Sequence, residues 1–153
     1  MEKDAILSED RKYRYVLSRI WDKSNPMVMI IGLNPSTADE TEDDPTIRRC
    51  INFADSWGYG GVYMLNLFAF RATKPTDMFE AINPIGSQND DYLNDYANRV
   101  DKVICAWGND GNYKNRSSDI KKQLDNLFYL KMNKTGEPAH PLYLKSNLIP
   151  QEL

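Results

Sequence analysis

Three polar residues have types and positions that could do chemistry, and each also has a plain structural reading: an Asn-Pro turn ending a strand, a backbone-bonded carboxamide and a surface histidine. Asn34 lies in Gly32-Leu33-Asn34-Pro35-Ser36, directly after the apolar run Met27–Ile31. That pentapeptide has neither the GxxxxGK[ST] nor the GxGxxG spacing of a phosphate-binding loop. It offers instead a sharp turn at Gly32, a stiff Pro35, and a carboxamide that both donates and accepts hydrogen bonds. Such a group can position a water or read an amide-like edge. Asn66 interrupts the apolar stretch Val62–Phe68, VYMLNLF. A buried carboxamide left without a partner costs about 1–3 kcal/mol, so it bonds either backbone or ligand. A nucleobase edge, with one donor and one acceptor, matches it. His140, the single histidine, is bracketed by Pro138 and Pro141. It is suited to donate to a developing negative charge or to act as a general acid.

Other candidates surround these three. Asp39, Glu40, Glu42, Asp43 and Asp44 form an acidic run without the spacing of a calcium loop. Asp44 reads as the cap of a helix beginning at Pro45, with no metal bound. Arg48 and Arg49 fall early in that helix, where the dipole disfavours cations, which suggests use as phosphate contacts. Phe68 and Phe70, just past a strand, are candidates to stack on a base, and Arg71 follows them. Trp57, Tyr59 and Trp107 read as core.

These residues need elements to position them. Ser8 is expected to cap a helix over Glu9–Trp21. Buried strands are expected over 27–34, 62–68, 100–107 and 127–130, the first two being continuous apolar runs. Helices are expected from Pro45 to Trp57, over Asp77–Ala81 capped by Thr76, around Asp90–Arg99 capped by Ser87, and over Ser118–Leu127. The tail from Lys131 reads as loop. The alternation predicts a single α/β domain over residues 1–153: three αβα layers around a mostly parallel four-stranded sheet. In such sheets ligands bind beyond the carboxyl ends of the strands, where Gly32–Ser36, Asn66 and Gly108-Asn109 fall.

Composition bounds the alternatives. The 153 residues are 41% hydrophobic and 27% charged, ordinary globular usage that excludes a disordered or collagen-like chain. No apolar run approaches a membrane span. The polar first residues lack the pattern of a secretory signal, and Cys50 and Cys105 are not spaced as a pair, so a cytoplasmic protein is expected. Net charge is −3, with seven Lys/Arg against three Asp/Glu in 112–145 and twelve against eighteen in 1–111. A protein coating duplex DNA is normally basic throughout. No cofactor or metal is expected.

The order of motifs, MVMIIGLNPS, VYMLNLFAFRATKP, VICAWG and HPLYL, resembles the uracil-DNA glycosylase superfamily. The longer strings GLNPSTADETEDDPTIRRC and WGYGGVYMLNLFAFRATKP also resemble a family of uncharacterised bacterial and phage proteins, labelled a domain of unknown function. The glycosylase resemblance implies that Asn34, in the G-x-[DN]-P turn of Gly32, Pro35 and Ser36, holds the attacking water. It implies that Asn66 reads the base and that His140 stabilises the departing one. Three departures stand out: Asn34 replaces the aspartate of the most active members, Leu142 replaces a small polar residue after His-Pro, and the chain is acidic. The expectation is a domain that binds a nucleobase, a nucleotide or nucleic acid and hydrolyses an N-glycosidic bond. The alternatives are a non-catalytic nucleotide- or protein-binding module, such as a conflict or sequestering protein, and a metal-dependent hydrolase using Asp39–Asp44.

Overall fold

The computed structural model describes residues 1–153. Its centre is one mixed sheet of seven strands in the order β1-β2-β4-β3-β5-β6-β7. The strands are β1 (Glu2–Leu7), β2 (Arg14–Ile20), β3 (Met27–Gly32), β4 (Gly61–Asn66), β5 (Val103–Cys105), β6 (Leu127–Tyr129) and β7 (Gln151–Glu152). The four strands expected from the apolar runs are β3 to β6, and they form a contiguous parallel block, β4-β3-β5-β6. Three further strands pair antiparallel at its two sides, which corrects the four-stranded sheet to a seven-stranded one.

The largest departure lies at the N-terminus. The expected helix over Glu9–Trp21 is instead the hairpin β1–β2. Ser8 closes its turn: the Tyr13 amide donates to Ser8 Oγ at 3.0 Å and the Ser8 amide to the Tyr13 carbonyl at 2.9 Å. Arg11 takes a left-handed conformation there, φ 61°. The segment Arg14–Ile20 is rich in aromatic and β-branched residues. Buried on both faces, it reads as readily as a helix stripe, and pairing with β4 decides the outcome.

Successive residues of the central strands feed two cores. Val28 and Ile30 of β3, Val62 and Met64 of β4 and Ile104 of β5 point to one face. There they pack on helix α1 (Pro45–Ser56) through Ile47, Cys50, Phe53 and Ala54. Met29, Ile31, Leu65, Val103 and Cys105 point to the other. That face is covered by Met78 of α2 (Pro75–Glu80), Leu93, Tyr96 and Ala97 of α3 (Asn89–Ala97), and Ile120 of α4 (Arg116–Gln123). Three layers result. Helix α1 begins as expected: Asp44 accepts from the Ile47 amide at 2.9 Å and Pro45 opens the first turn. Thr76 and Ser87 do not cap; α2 starts at Pro75 and α3 at Asn89, neither with a side-chain cap. Helix α4 ends four residues earlier than the expected Leu127, because that residue opens β6.

Candidate functional site

The parallel block delivers the carboxyl ends of β3, β4 and β5 to one edge of the sheet. A cavity of about 290 Å³ opens there. Its walls are the turn Gly32–Ser36 after β3, Asn66 at the end of β4, and Ala106–Asp110 after β5. The start of α1 with Asp44 and Thr46, and His140-Pro141 from the late loop, complete them. Arg14 enters from β2. That strand runs antiparallel to β4, so its first residue, rather than its last, reaches this edge.

Gly32 and Asn66 are register partners across the parallel pair. A Cβ at position 32 would lie 2.8 Å from Asn66 Oδ1, so the glycine makes room for the carboxamide. Asn66 is only 4% exposed, yet its side chain makes no hydrogen bond within the protein, and Nδ2 is buried without a partner. Its own backbone is fixed from behind: Asn89 Nδ2 donates to the carbonyls of Asn66 (2.9 Å) and Leu67 (3.1 Å). The carboxamide is therefore held in place by its strand and left chemically unspent.

Asn34 is spent on one side only. Its amide protons go to the carbonyls of Pro35 (3.1 Å) and Ala72 (2.9 Å). Two carbonyl partners define which end is the NH₂ and leave Oδ1 as the free acceptor. Asp44 uses Oδ1 to cap α1 and keeps Oδ2. His140 is exposed at the rim, and its Nδ1 accepts from the Leu142 amide at 3.2 Å. A neutral ring then carries its proton on Nε2. Partial desolvation at the cavity mouth pushes His140 below the usual histidine range, against the pull of the Asp44 carboxylate. The ring is thus a neutral donor at physiological pH.

The loop carrying His140 is fastened by more than its prolines. Glu137 is buried and accepts from Trp107 Nε1 at 3.1 Å and from Ser117 Oγ at 2.9 Å. The Gly108 amide donates to the Pro138 carbonyl at 2.8 Å. Trp107 in turn lies so close to Gly111 that a Cβ there would fall 2.0 Å from the indole Cδ1.

Asn34, Asn66, His140, Gly32, Pro35 and Ser36 all line this one cavity. The other residues expected at a site lie elsewhere. Phe68 has no exposed surface and packs on Tyr113, ring centroids 5.6 Å apart, so it cannot stack on a base. Phe70 stands edge-on to Tyr13 at 5.7 Å. Arg71 ties the loop after β3 to the hairpin turn, donating to the carbonyls of Ser36, Arg11 and Thr37 at 3.3–3.4 Å. Arg48 is exposed and reaches only the Asp43 carbonyl at 3.5 Å. Arg49 donates to the Leu144 carbonyl and lies over the Phe53 ring, holding the tail to α1. The two helix arginines thus serve the tail and the solvent.

The acidic run is likewise committed to structure. Arg19, wholly buried, donates to Asp43 Oδ1 at 2.8 Å and to the carbonyls of Asp39 and Glu42. Asp39 accepts from the Thr41 and Glu42 amides, which hold it below the usual carboxylate range. Burial would raise Asp43, but hydrogen bonds from Arg19 and Lys3 outweigh it and keep it low. Glu40 pairs with Arg11 at 2.7 Å. No group of three or more His, Cys, Asp or Glu side chains stands together where it could hold a metal ion.

The sequence does not single out Arg14, Thr46, Trp107 or Asp110 as cavity residues, and it offers Asp44 as a helix cap or as part of a metal-binding acidic run. The one available signal for Arg14 was a cation inside the aromatic and aliphatic stretch Tyr13–Leu17. Burial lowers its guanidinium to about 10, so it stays charged at neutral pH.

Fold and cavity together define a three-layer α/β domain with a cavity at the carboxyl edge of its parallel strands, the place where ligands bind in open α/β sheets. The chain belongs to a family described as protein of unknown function (DUF1643), which matches residues 14–142. No curated protein and no solved structure matches it. The matched span begins at Arg14 and ends just after Pro141, so it contains every residue that lines the cavity. No helix is long and apolar enough to cross a membrane.

Proposed function

We propose that the cavity binds the base of a nucleotide and that the domain hydrolyses an N-glycosidic bond, in the manner its motif order suggests. The observation that carries this reading is the Asn66 carboxamide, buried at the cavity floor with no hydrogen-bond partner in the protein. A carboxamide presents one donor and one acceptor side by side, the complement of an amide-like base edge.

Water held at Asn34 Oδ1 attacks C1′ of the sugar while the C1′–N bond breaks. The base leaves with the bonding electrons. His140 Nε2–H donates to the charge that develops on it, and Asp44 Oδ2 takes the proton that the water loses. Asn34 cannot act as the base, since it has no site of useful basicity. Asp44 lines the same cavity and supplies the carboxylate that the turn after β3 lacks. Neutral-donor stabilisation of the leaving group carries most of the rate enhancement in this scheme.

The test is release of free base from oligonucleotides and from nucleosides carrying each common or deaminated base, followed chromatographically. Base release that Asp44→Asn and His140→Gln abolish supports the scheme. Tight binding of a nucleoside without turnover favours the second reading, a nucleotide-sequestering module. The carboxamide at Asn34, where a glycosylase gains from a carboxylate, is the feature that speaks for that alternative.

A further inference from the structure

Three arginines are almost completely buried: Arg14, Arg19 and Arg116. Two of them are saturated. Arg19 donates to Asp43 and to four backbone carbonyls. Arg116 grips Asp90 with both terminal nitrogens and gives Nε to the Leu67 carbonyl at 3.0 Å. Arg14 is the exception. It makes one side-chain hydrogen bond, Nη1 to the Ala38 carbonyl at 3.0 Å, and Nε is buried without a partner. No carboxylate lies within 4.0 Å of it. The two acids that act on it from farther off are Asp44, which caps α1 with Oδ1 and keeps Oδ2, and Asp39, whose Oδ1 accepts from backbone amides. A buried cation with no carboxylate in contact is expensive, and proteins bury arginines by pairing them directly, as this one does twice.

Arg14 lines the same cavity as Asn66. We infer that Arg14 is the receptor for an oxyanion of the ligand, so that the cavity takes a nucleoside monophosphate, with the base at Asn66 and the phosphate at Arg14. The guanidinium is a forked donor suited to phosphate oxygens; Nη2 makes no hydrogen bond within the protein, and Nε is unpartnered but enclosed. A volume of about 290 Å³ lies at the lower end of small-ligand pockets, enough for one nucleotide unit. The inference rests on the base-binding reading for its nucleoside half and on Arg14 alone for its anionic half.

Isothermal titration of the full chain separates the two halves. The ligands are a panel of nucleosides, the corresponding 5′-monophosphates and inorganic phosphate. The proteins are wild type, Arg14→Gln, Arg14→Lys and Asn66→Ala. At least one monophosphate is expected to bind about ten- to a hundredfold more tightly than its nucleoside. Arg14→Gln brings that ratio close to one and Arg14→Lys keeps part of it. Asn66→Ala weakens nucleoside and monophosphate alike and preserves the ratio. If nucleoside and monophosphate bind equally well to wild type, the phosphate assignment falls while base binding stands. If inorganic phosphate binds in an Arg14-dependent way and no nucleotide improves on it, the anion site stands and the base reading falls. Binding of none of them overturns both. The wild-type comparison decides the matter even if Arg14→Gln fails to fold, which its melting temperature reports.

Discussion

Asn66 and Asp44 illustrate how differently two polar side chains in one cavity are employed. The Asn66 side chain makes no internal hydrogen bond, so Asn66→Ala should change stability by no more than about 1 kcal/mol, and an orphaned buried donor disappears with it. Ligand affinity should fall at least tenfold. Thermal melting and titration on the same variant check both, and a large stability loss with unchanged affinity would sink the assignment. Asp44 has two tasks, and two substitutions separate them. Asparagine caps a helix about as well as aspartate, so Asp44→Asn should keep the melting temperature and lose base release. Asp44→Ala should also cost about 0.5–2 kcal/mol. Equal stability loss in both variants would mean that the carboxylate charge, not the cap, matters to the fold.

At the level of elements, the His140 loop is the part whose placement depends most on distant partners. Glu137→Ala leaves the Trp107 and Ser117 donors buried and unpaired, and should destabilise the protein by about 2–5 kcal/mol. Amide exchange at Ala139 and Leu142 should rise more than in the β3–β4 core. Uniform protection across the chain would show that the prolines alone hold the loop. Much of this level was legible in the sequence. The apolar runs at 27–31 and 62–65 specify buried parallel strands, and Asp44-Pro45 specifies a helix start. Asn34, Asn66 and His140 could be brought together because parallel strands end on one edge. The hairpin was not legible, because Arg14–Leu17 is buried on both faces and loses the alternation that marks a strand. Arg14 was lost with it: a residue assigned to a helix cannot be placed at the edge where an antiparallel strand begins. Phe68 was misjudged for a related reason, since an aromatic just past a strand end looks exposed until α4 and the turn before it close over it.

For the molecule as a whole, the direction of the pH response follows from the groups that the fold perturbs. Asp39 and Asp43 titrate below the ordinary carboxylate value, so the unfolded chain binds protons that the folded protein refuses. Their contribution is complete above about pH 4 and is lost as pH falls through the lower folded values. His140 is also depressed, so the unfolded chain takes up a proton first as pH drops below about 6.5, and stability declines there too. Melting temperature should therefore fall in two stages on acidification from pH 7.5. Calorimetry on His140→Gln should show the upper stage removed and the lower one retained. A flat profile between pH 7.5 and 5.5 in the wild type would contradict the depressed histidine.

The cavity draws its walls from residue 14 at one extreme and residue 141 at the other. During synthesis, that spread puts the pocket on a clock. The hairpin emerges first but has no β4 to pair with until residue 66 has been made, and the rim arrives only with His140. Long-range pairing of this kind closes late. A nascent chain arrested at residue 130 would hold Arg14, Asn34 and Asn66 yet lack the loop that completes the mouth, so ligand-dependent protection from protease should begin only once residue 141 has cleared the ribosome.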